Sequence, residues 1–193
     1  MLLDHKKTIK IKGAQAFIFR IFVVIMLHMK NYAFIDGQNL TQNTRNDQQP
    51  WKIDLIKFRI FLQEKYHVEK AYYFIGIEEK RFQKLYKFLK YIGFIVVFRE
   101  HHSNARGIKK TNVDTDIVYA MMKHAYRDRD CDKLILVSND GDYKKVVSCL
   151  IHDRKFRAIM FPGKNWSALY RQIDEKFKVR LYETTIKQRI ILK

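Results

Sequence analysis

The chain is predicted to fold as an α/β protein with a mostly parallel central sheet and helices on both faces. Short hydrophobic runs alternate along the sequence with longer segments whose apolar residues recur near the helical period, which is typical of this fold class. The 193 residues are 47% hydrophobic and include seven Gly and two Pro. This composition is that of a folded globular domain, so it excludes a disordered chain and makes a disulfide scaffold unnecessary.

The predicted elements follow one another in a regular order. Strands are predicted at Tyr32–Ile35, Lys70–Ile75, Phe94–Arg99, Lys133–Ser138 and Arg157–Phe161. Helices are predicted at Ile53–Lys65, Glu79–Tyr91 and Val113–Tyr126, from Asp142 through Leu150, and over a short segment from Trp166 to Lys176. The polar stretches Thr41–Gln49 and Glu100–Asn112 are predicted loops, and the segment Lys178–Tyr182 is predicted to complete an edge of the sheet.

The charge balance indicates the class of partner. Lys and Arg number 38 against 20 Asp and Glu, which gives a formal net charge of +18. A surplus of this size favours a polyanion, with nucleic acid ahead of an anionic membrane. Only two cysteines are present, and no Cys/His run accompanies them, so a zinc site is disfavoured and a reducing cytoplasm is expected.

The first 28 residues differ from the remainder of the chain. A basic stretch precedes an apolar run from Ala14 to Leu27, which is shorter than a membrane span requires and lacks a small-residue cleavage site behind it. We therefore expect no stable membrane insertion. We expect residues 1–28 to be an extension, either an upstream start before Met29, an extra helix or a loose membrane-surface anchor, and residues 29–193 to form one domain.

Six polar side chains follow the first, third and fourth predicted strands, two after each strand or the loop behind it. They are Asp36, Asn39, Asp114, Asp116, Asp140 and Asp142. Aspartate after a hydrophobic run also forms turns and caps helices, so each carboxylate alone has a structural explanation. Because the carboxyl ends of parallel strands meet at one edge of a sheet, however, these carboxylates are expected to lie close together. Clustered carboxylates repel one another, and a hard divalent cation relieves that repulsion.

Spacing separates the candidates within each pair. Asp114 and Asp116 lie about 200° apart on a helix, so both face one site only if Asp114 sits at or before the helix start. Asp114 is therefore preferred as a ligand. Gly141 permits a sharp turn between Asp140, the preferred ligand, and Asp142, the expected helix cap.

These motifs resemble those of one known family. IDGQN at Ile35–Asn39, KxxxVDxD at Lys109–Asp116 and VSNDGDY at Val137–Tyr143 are similar, in this order, to the NYN family of PIN-like nucleases. The resemblance covers about Lys30 to Phe161. It implies a PIN-like three-layer α/β/α sandwich and an endoribonuclease that depends on Mg²⁺ or Mn²⁺. Asn139 is a departure, because the family commonly has Gly there.

The resemblance also implies roles for individual residues. Asp36, Asp114 and Asp140 would be catalytic and hold the metal, with Asp116 or Asp142 completing the acidic pocket and Asn39 supporting Asp36. Ser138 is either a second supporting residue, through its hydroxyl, or merely the end of a strand. Lys109 and Lys110 are expected to meet the substrate phosphate.

The expected partner is RNA, most simply a single strand, and a homodimer is compatible with the sequence. Two alternatives stay open: an RNA-binding module without catalysis, and a structure-specific DNA nuclease that uses the same acids. A pure phosphate binder gains nothing from clustered negative charge, which favours catalysis. Nucleotide-cofactor enzymes are disfavoured by the absence of GxGxxG and GxxxxGK[ST] motifs. A haloacid-dehalogenase-type phosphatase requires Asp where this chain has Gln38.

Overall fold

The computed structural model describes residues 29–99 and 113–193, which form a six-stranded, all-parallel sheet. The strand order is β3-β2-β1-β4-β5-β6. The strands are β1 (Asn31–Asp36), β2 (Val68–Ile75), β3 (Phe94–Phe98), β4 (Leu134–Val137), β5 (Phe156–Phe161) and β6 (Lys178–Arg180). The predicted α/β class and parallel sheet are confirmed, and β6 is the predicted edge strand.

Six α-helices connect or flank these strands in the described ranges. They are α1 (Gly37–Arg45), α2 (Leu55–Tyr66), α3 (Gln83–Tyr91), α4 (Asp114–Arg127), α5 (Lys144–His152) and α6 (Thr184–Ile190). Short 3₁₀ segments lie at Lys80–Phe82, Gly141–Tyr143, Ala168–Gln172 and Glu175–Phe177.

Two hydrophobic cores cover the two faces of the sheet. On one face, α2 and α6 contribute Phe58, Leu62 and Ile190 to a core that includes Ile35 of β1. On the other face, α4 and α5 pack against the alternate side chains of the same strands. Because successive strand residues point to opposite faces, one central strand serves both cores, and the result is the three-layer α/β/α sandwich.

Strands β2 and β3 are added on one side of β1, whereas β4, β5 and β6 are added on its other side. The order of the strands therefore reverses between β1 and β4. β1 pairs with β2 on one side and with β4 on the other, all in parallel. In open α/β sheets, ligands bind beside the carboxyl ends of the strands at such a reversal. The segments that follow β1 and β4 carry Asp36 and Asp140, so the topology places both acids at this crevice.

Two predicted elements were wrong in detail, and one helix was missed. The stretch Thr41–Gln49 is not simply a loop, because its first half belongs to α1, whose polar sequence has only Leu40 and Thr44 facing inward besides Gly37. The segment Trp166–Lys176 contains two 3₁₀ turns rather than one α-helix. Helix α6 was not predicted, and it buries Ile186 and Ile190.

Some predictions fall on residues that the structure does not describe. These concern the extension 1–28 and the loop Glu100–Asn112, the latter including Lys109 and Lys110. Within the described ranges, no helix combines the length and apolar character needed to span a bilayer.

Candidate metal centre

Three aspartates from two segments bring their carboxylates together at the carboxyl edge of the sheet. One oxygen from each of Asp114, Asp140 and Asp142 lies within 4.8 Å of the others. Asp114 is the first residue of α4, as its spacing from Asp116 required, and the helix N-terminus favours a negative charge there. Asp140 and Asp142 flank the turn that follows β4.

Asp36 lies beside this group but is buried deeper. It lines a cleft of about 240 Å³ together with Asp114 and Asp140. One of its oxygens accepts from the Asn39 N–H at 2.9 Å and thereby caps α1. Gly37 lets α1 start against β2, because a Cβ there would lie 2.2 Å from the Tyr73 ring. Asp36 thus joins the start of a helix to the wall of the acidic cleft.

Tyr143 connects the buried acid to the exposed group. Its hydroxyl contacts Asp114 Oδ1 at 2.5 Å and Asp36 Oδ2 at 3.3 Å, and its ring is fully buried. The sequence analysis quoted this residue in a motif without giving it a role. Its hydrophobic position in front of α5 gave no signal of the contact, because Asp36 lies 107 residues away.

Burial and mutual repulsion set the charges of these groups. Burial, aided by the neighbouring carboxylates of Asp114 and Asp140, raises the pKa of Asp36 to about 6, against the lowering effect of the hydrogen bonds from Asn39 and Tyr143. The pKa of Tyr143 is raised as well, first by burial and then by the charge of Asp36. Tyr143 therefore stays protonated and acts as a donor to the carboxylates.

Asp140 is fixed by its neighbours through the main chain. Its N–H donates to Ser138 Oγ at 3.1 Å, and its carbonyl accepts from the Tyr170 hydroxyl. Its carboxylate accepts from the Asp142 N–H at 3.0 Å. The expectation that Asp142 is the cap was therefore wrong: Asp140 caps the turn, because its side chain is the one placed before the free N–H groups. Asp142 is left with its carboxylate in the acidic group.

Asn139 ties the segment after β4 to helix α1 and to the loop after β5, next to the acids. Its N–H donates to Asn39 Oδ1 at 2.8 Å, and its side-chain amide donates to Asn43 Oδ1 at 2.8 Å and to the carbonyls of Gly163 and Asn165. The side chain of Asn39 therefore supports the segment after β4, while its main chain supports Asp36. A glycine at position 139 would lack the side-chain bonds.

Asp116 is placed differently from the other candidates. It is not a member of the group of clustered acids found in the described residues, and its buried Oδ2 has no hydrogen-bond partner there. This agrees with its position two residues beyond Asp114 on the helix. Two further candidates, Lys109 and Lys110, lie outside the described residues.

The donor set fits a hard divalent cation. All three clustered groups are carboxylates, and oxygen is the ligand that Mg²⁺ and Mn²⁺ prefer. Octahedral ligands at about 2.1 Å from an ion lie roughly 3–4 Å apart, which is close to the observed clustering. Asp114, Asp140 and Asp142 would hold such an ion, with Asp36 adding negative charge behind them.

The fold and this acidic crevice define an α/β protein with a carboxylate cluster at a topological switch point. Comparison with protein families matches the NYN domain over residues 31–179, and the chain belongs to this family. The family has a PIN-like nuclease fold, as its motifs predicted. The search of curated proteins found no match.

A solved structure supports the fold independently. The chain resembles the crystal structure of a protein of unknown function, VPA0982, from Vibrio parahaemolyticus RIMD 2210633. The TM-score is 0.67 at 20% sequence identity, and the match covers 85% of this chain and 96% of that one. At this identity the likeness concerns the fold alone.

Proposed function

We propose that this protein is a divalent-metal-dependent endoribonuclease that hydrolyses RNA phosphodiester bonds at the acidic crevice. The observation that carries the proposal is the approach of the Asp114, Asp140 and Asp142 carboxylate oxygens to within 4.8 Å of one another. Such an arrangement is costly without a cation, because like charges at this distance oppose one another. Membership of the NYN family supports a nuclease, and the net charge of +18 supports a polyanionic substrate.

The chain's own residues have separable roles in this proposal. Asp114, Asp140 and Asp142 hold the cation, and Asp36 contributes charge from the floor of the cleft. Tyr143 keeps Asp36 and Asp114 in position by donating to them, and Ser138 fixes the main chain of Asp140. A bound divalent cation supplies charge neutralisation for the phosphate and lowers the pKa of a water molecule. No nucleophilic side chain is required.

Cleavage of end-labelled RNA tests the proposal directly. The wild type and Asp140→Asn are compared on a single-stranded RNA and a matched DNA, with Mg²⁺, Mn²⁺ or EDTA. The matched control is Asp130→Asn, which removes an exposed carboxylate from the turn after α4. We expect metal-dependent RNA cutting by the wild type and the control, and a loss of at least a hundredfold for Asp140→Asn.

The alternative outcomes each identify another class of protein. Cleavage of the DNA in place of the RNA would identify a DNA nuclease that uses the same acids. RNA binding with steep salt dependence and no cutting under any metal identifies a binding module.

A further inference from the structure

Three adjoining clefts run from the acidic crevice along the side of the molecule that carries β6 and α6. The first, of about 640 Å³, is lined by Asp140, Asp142 and Asn165. The second, of about 530 Å³, begins at the next residue, Lys164, and also includes Lys187. The third, of about 310 Å³, shares Glu183 with the second and is lined by Lys65 and Arg157. The first two clefts are lined by adjacent residues and the last two share Glu183, and together the three are named here the α6 track.

Four cations of the α6 track are not paired within the described residues, although the carboxylates of Asp47 and Glu183 line the second cleft. Lys164, Lys187, Lys65 and Arg157 form no ion pair within the part of the chain that the structure describes. By contrast, Arg180 in the third cleft is paired with Glu175 at 2.7 Å. Across the second and third clefts these four cations outnumber the two carboxylates that line them, Asp47 and Glu183, so positive charge is available to an anion from solution.

Aromatic rings hold three of these cations at the track. The Lys187 ammonium lies 5.2 Å from the centre of the Trp51 ring. Lys65 and Arg157 lie 5.8 Å and 5.9 Å from the centre of the same Tyr66 ring. A cation that packs on an aromatic ring keeps its N–H donors free for a ligand. Because the ring already restricts the side chain, binding a ligand costs less conformational entropy than it would for a fully solvated side chain.

The length of the α6 track matches a polymer rather than a single phosphate. Arg157 is the second residue of β5, whose first residue pairs with Leu134 at the start of β4, whereas Asp140 lies beyond the other end of β4. At about 3.3 Å per strand residue, the two positions are roughly 15 Å apart. A ligand that contacts the acidic crevice and all four cations must therefore carry several negative charges along an extended chain.

We propose that the α6 track binds the sugar–phosphate backbone of the RNA strand whose scissile phosphate lies at the acidic crevice. This inference rests on the proposed function and adds the path of the substrate. Lys164 and Lys187 contact the phosphates nearer the crevice, and Lys65 and Arg157 contact those further along the strand. The contacts are to phosphate, so they position the strand and carry no sequence preference.

Salt-dependent binding tests the track without relying on cleavage. Binding of a labelled single-stranded RNA is followed by its fluorescence anisotropy, in EDTA and over a range of KCl concentrations. The RNA has about 20 nucleotides, so it is longer than a single short binding site. The two test variants are Lys65→Gln/Arg157→Gln and Lys164→Gln/Lys187→Gln. The control, Lys84→Gln/Lys87→Gln, removes the same charge from exposed positions on α3, which packs beside β3 at the opposite edge of the sheet. Melting temperatures check that all variants fold.

We expect each test variant to reduce the slope of log K against log salt concentration by about 1.4, which corresponds to two lost phosphate contacts on a single strand. The control slope stays at the wild-type value. Equal slopes for the test and control variants would refute the proposal that the α6 track binds the RNA backbone. Inorganic phosphate at matched ionic strength should compete no better than chloride, and specific competition by it would instead identify a site for free phosphate.

Failure of the α6 track as an RNA-binding surface can be distinguished from failure of the proposed nuclease activity. Reduced slopes without metal-dependent cleavage of any RNA refute the nuclease and leave an RNA-binding track. Metal-dependent cleavage with unchanged slopes refutes the track and leaves the nuclease.

Discussion

Asp36 is predicted to destabilise the metal-free protein at neutral pH, and Asp36→Asn is the substitution that reveals it. In the folded chain, burial and the neighbouring carboxylates raise the pKa of this carboxyl from 3.8 to about 6. The folded state thus binds the proton more tightly than the unfolded state. Stability from this group is present below pH 3.8, falls as the pH rises to about 6, and stays low above that value.

The size of the effect follows from the same two pKa values. Their difference corresponds to about 3 kcal/mol at pH 8, because one pKa unit is about 1.4 kcal/mol. Asparagine removes the charge and still caps a helix well, so the hydrogen bond from the Asn39 N–H is retained. In EDTA at pH 8, the free energy of unfolding of Asp36→Asn is therefore expected to exceed that of the wild type by up to about 3 kcal/mol. This corresponds to a melting temperature about 6–12 °C higher.

Metal reverses the comparison. If a divalent cation binds the ionised site as proposed, it is expected to stabilise the wild type by mass action and to stabilise Asp36→Asn less. Urea denaturation at pH 4, 6 and 8, in EDTA and in Mg²⁺, measures both effects, and Asp130→Asn is the control for removing one carboxylate. The reasoning is refuted if Asp36→Asn is no more stable than the wild type in EDTA at pH 8, or if its advantage is the same at pH 4.

Three further substitutions test the surroundings of the crevice. Tyr143→Phe removes the hydroxyl that bonds Asp114 and is expected to weaken Mg²⁺-dependent activity about 10–100-fold in a metal titration, with the fold retained; unchanged activity would contradict this role. Gly141→Ala places a Cβ 2.3 Å from Ser167 Oγ and is expected to lower the free energy of unfolding by about 1–3 kcal/mol in urea, and no loss would show that the loop moves freely. Asn139→Ala leaves buried carbonyls without their amide donor and is expected to cost about 1–3 kcal/mol, also measured in urea, against which a neutral result would count.

Most of the sheet was predictable because its strands are hydrophobic and its helices are amphipathic. β1 is buried at every residue, and a run of that kind between polar segments has few other interpretations. Helix α1 escaped prediction for the opposite reason. Its sequence GQNLTQNTR has almost no apolar face, and its start is fixed by the cap from Asp36 rather than by periodicity.

The candidate site was predictable in its residue types but not in its connections. The position of Asp114 at the helix start followed from helical geometry. The capping role of Asp140 in place of Asp142 did not, because it depends on which side chain reaches the free N–H groups of a single turn. The contact of Tyr143 with Asp36 depends on the packing of distant segments, which no local pattern encodes.

Asp36 serves the fold and the crevice with the same carboxylate, and this gives the protein an internal spectroscopic reporter. The Asn39 amide proton is shared with one oxygen of Asp36, while the other oxygen faces Tyr143. Any change in the charge of that carboxylate alters the polarisation of the N–H bond. In a ¹⁵N-labelled sample, the Asn39 resonance is therefore expected to shift when the proposed cation binds, even when no substrate is present.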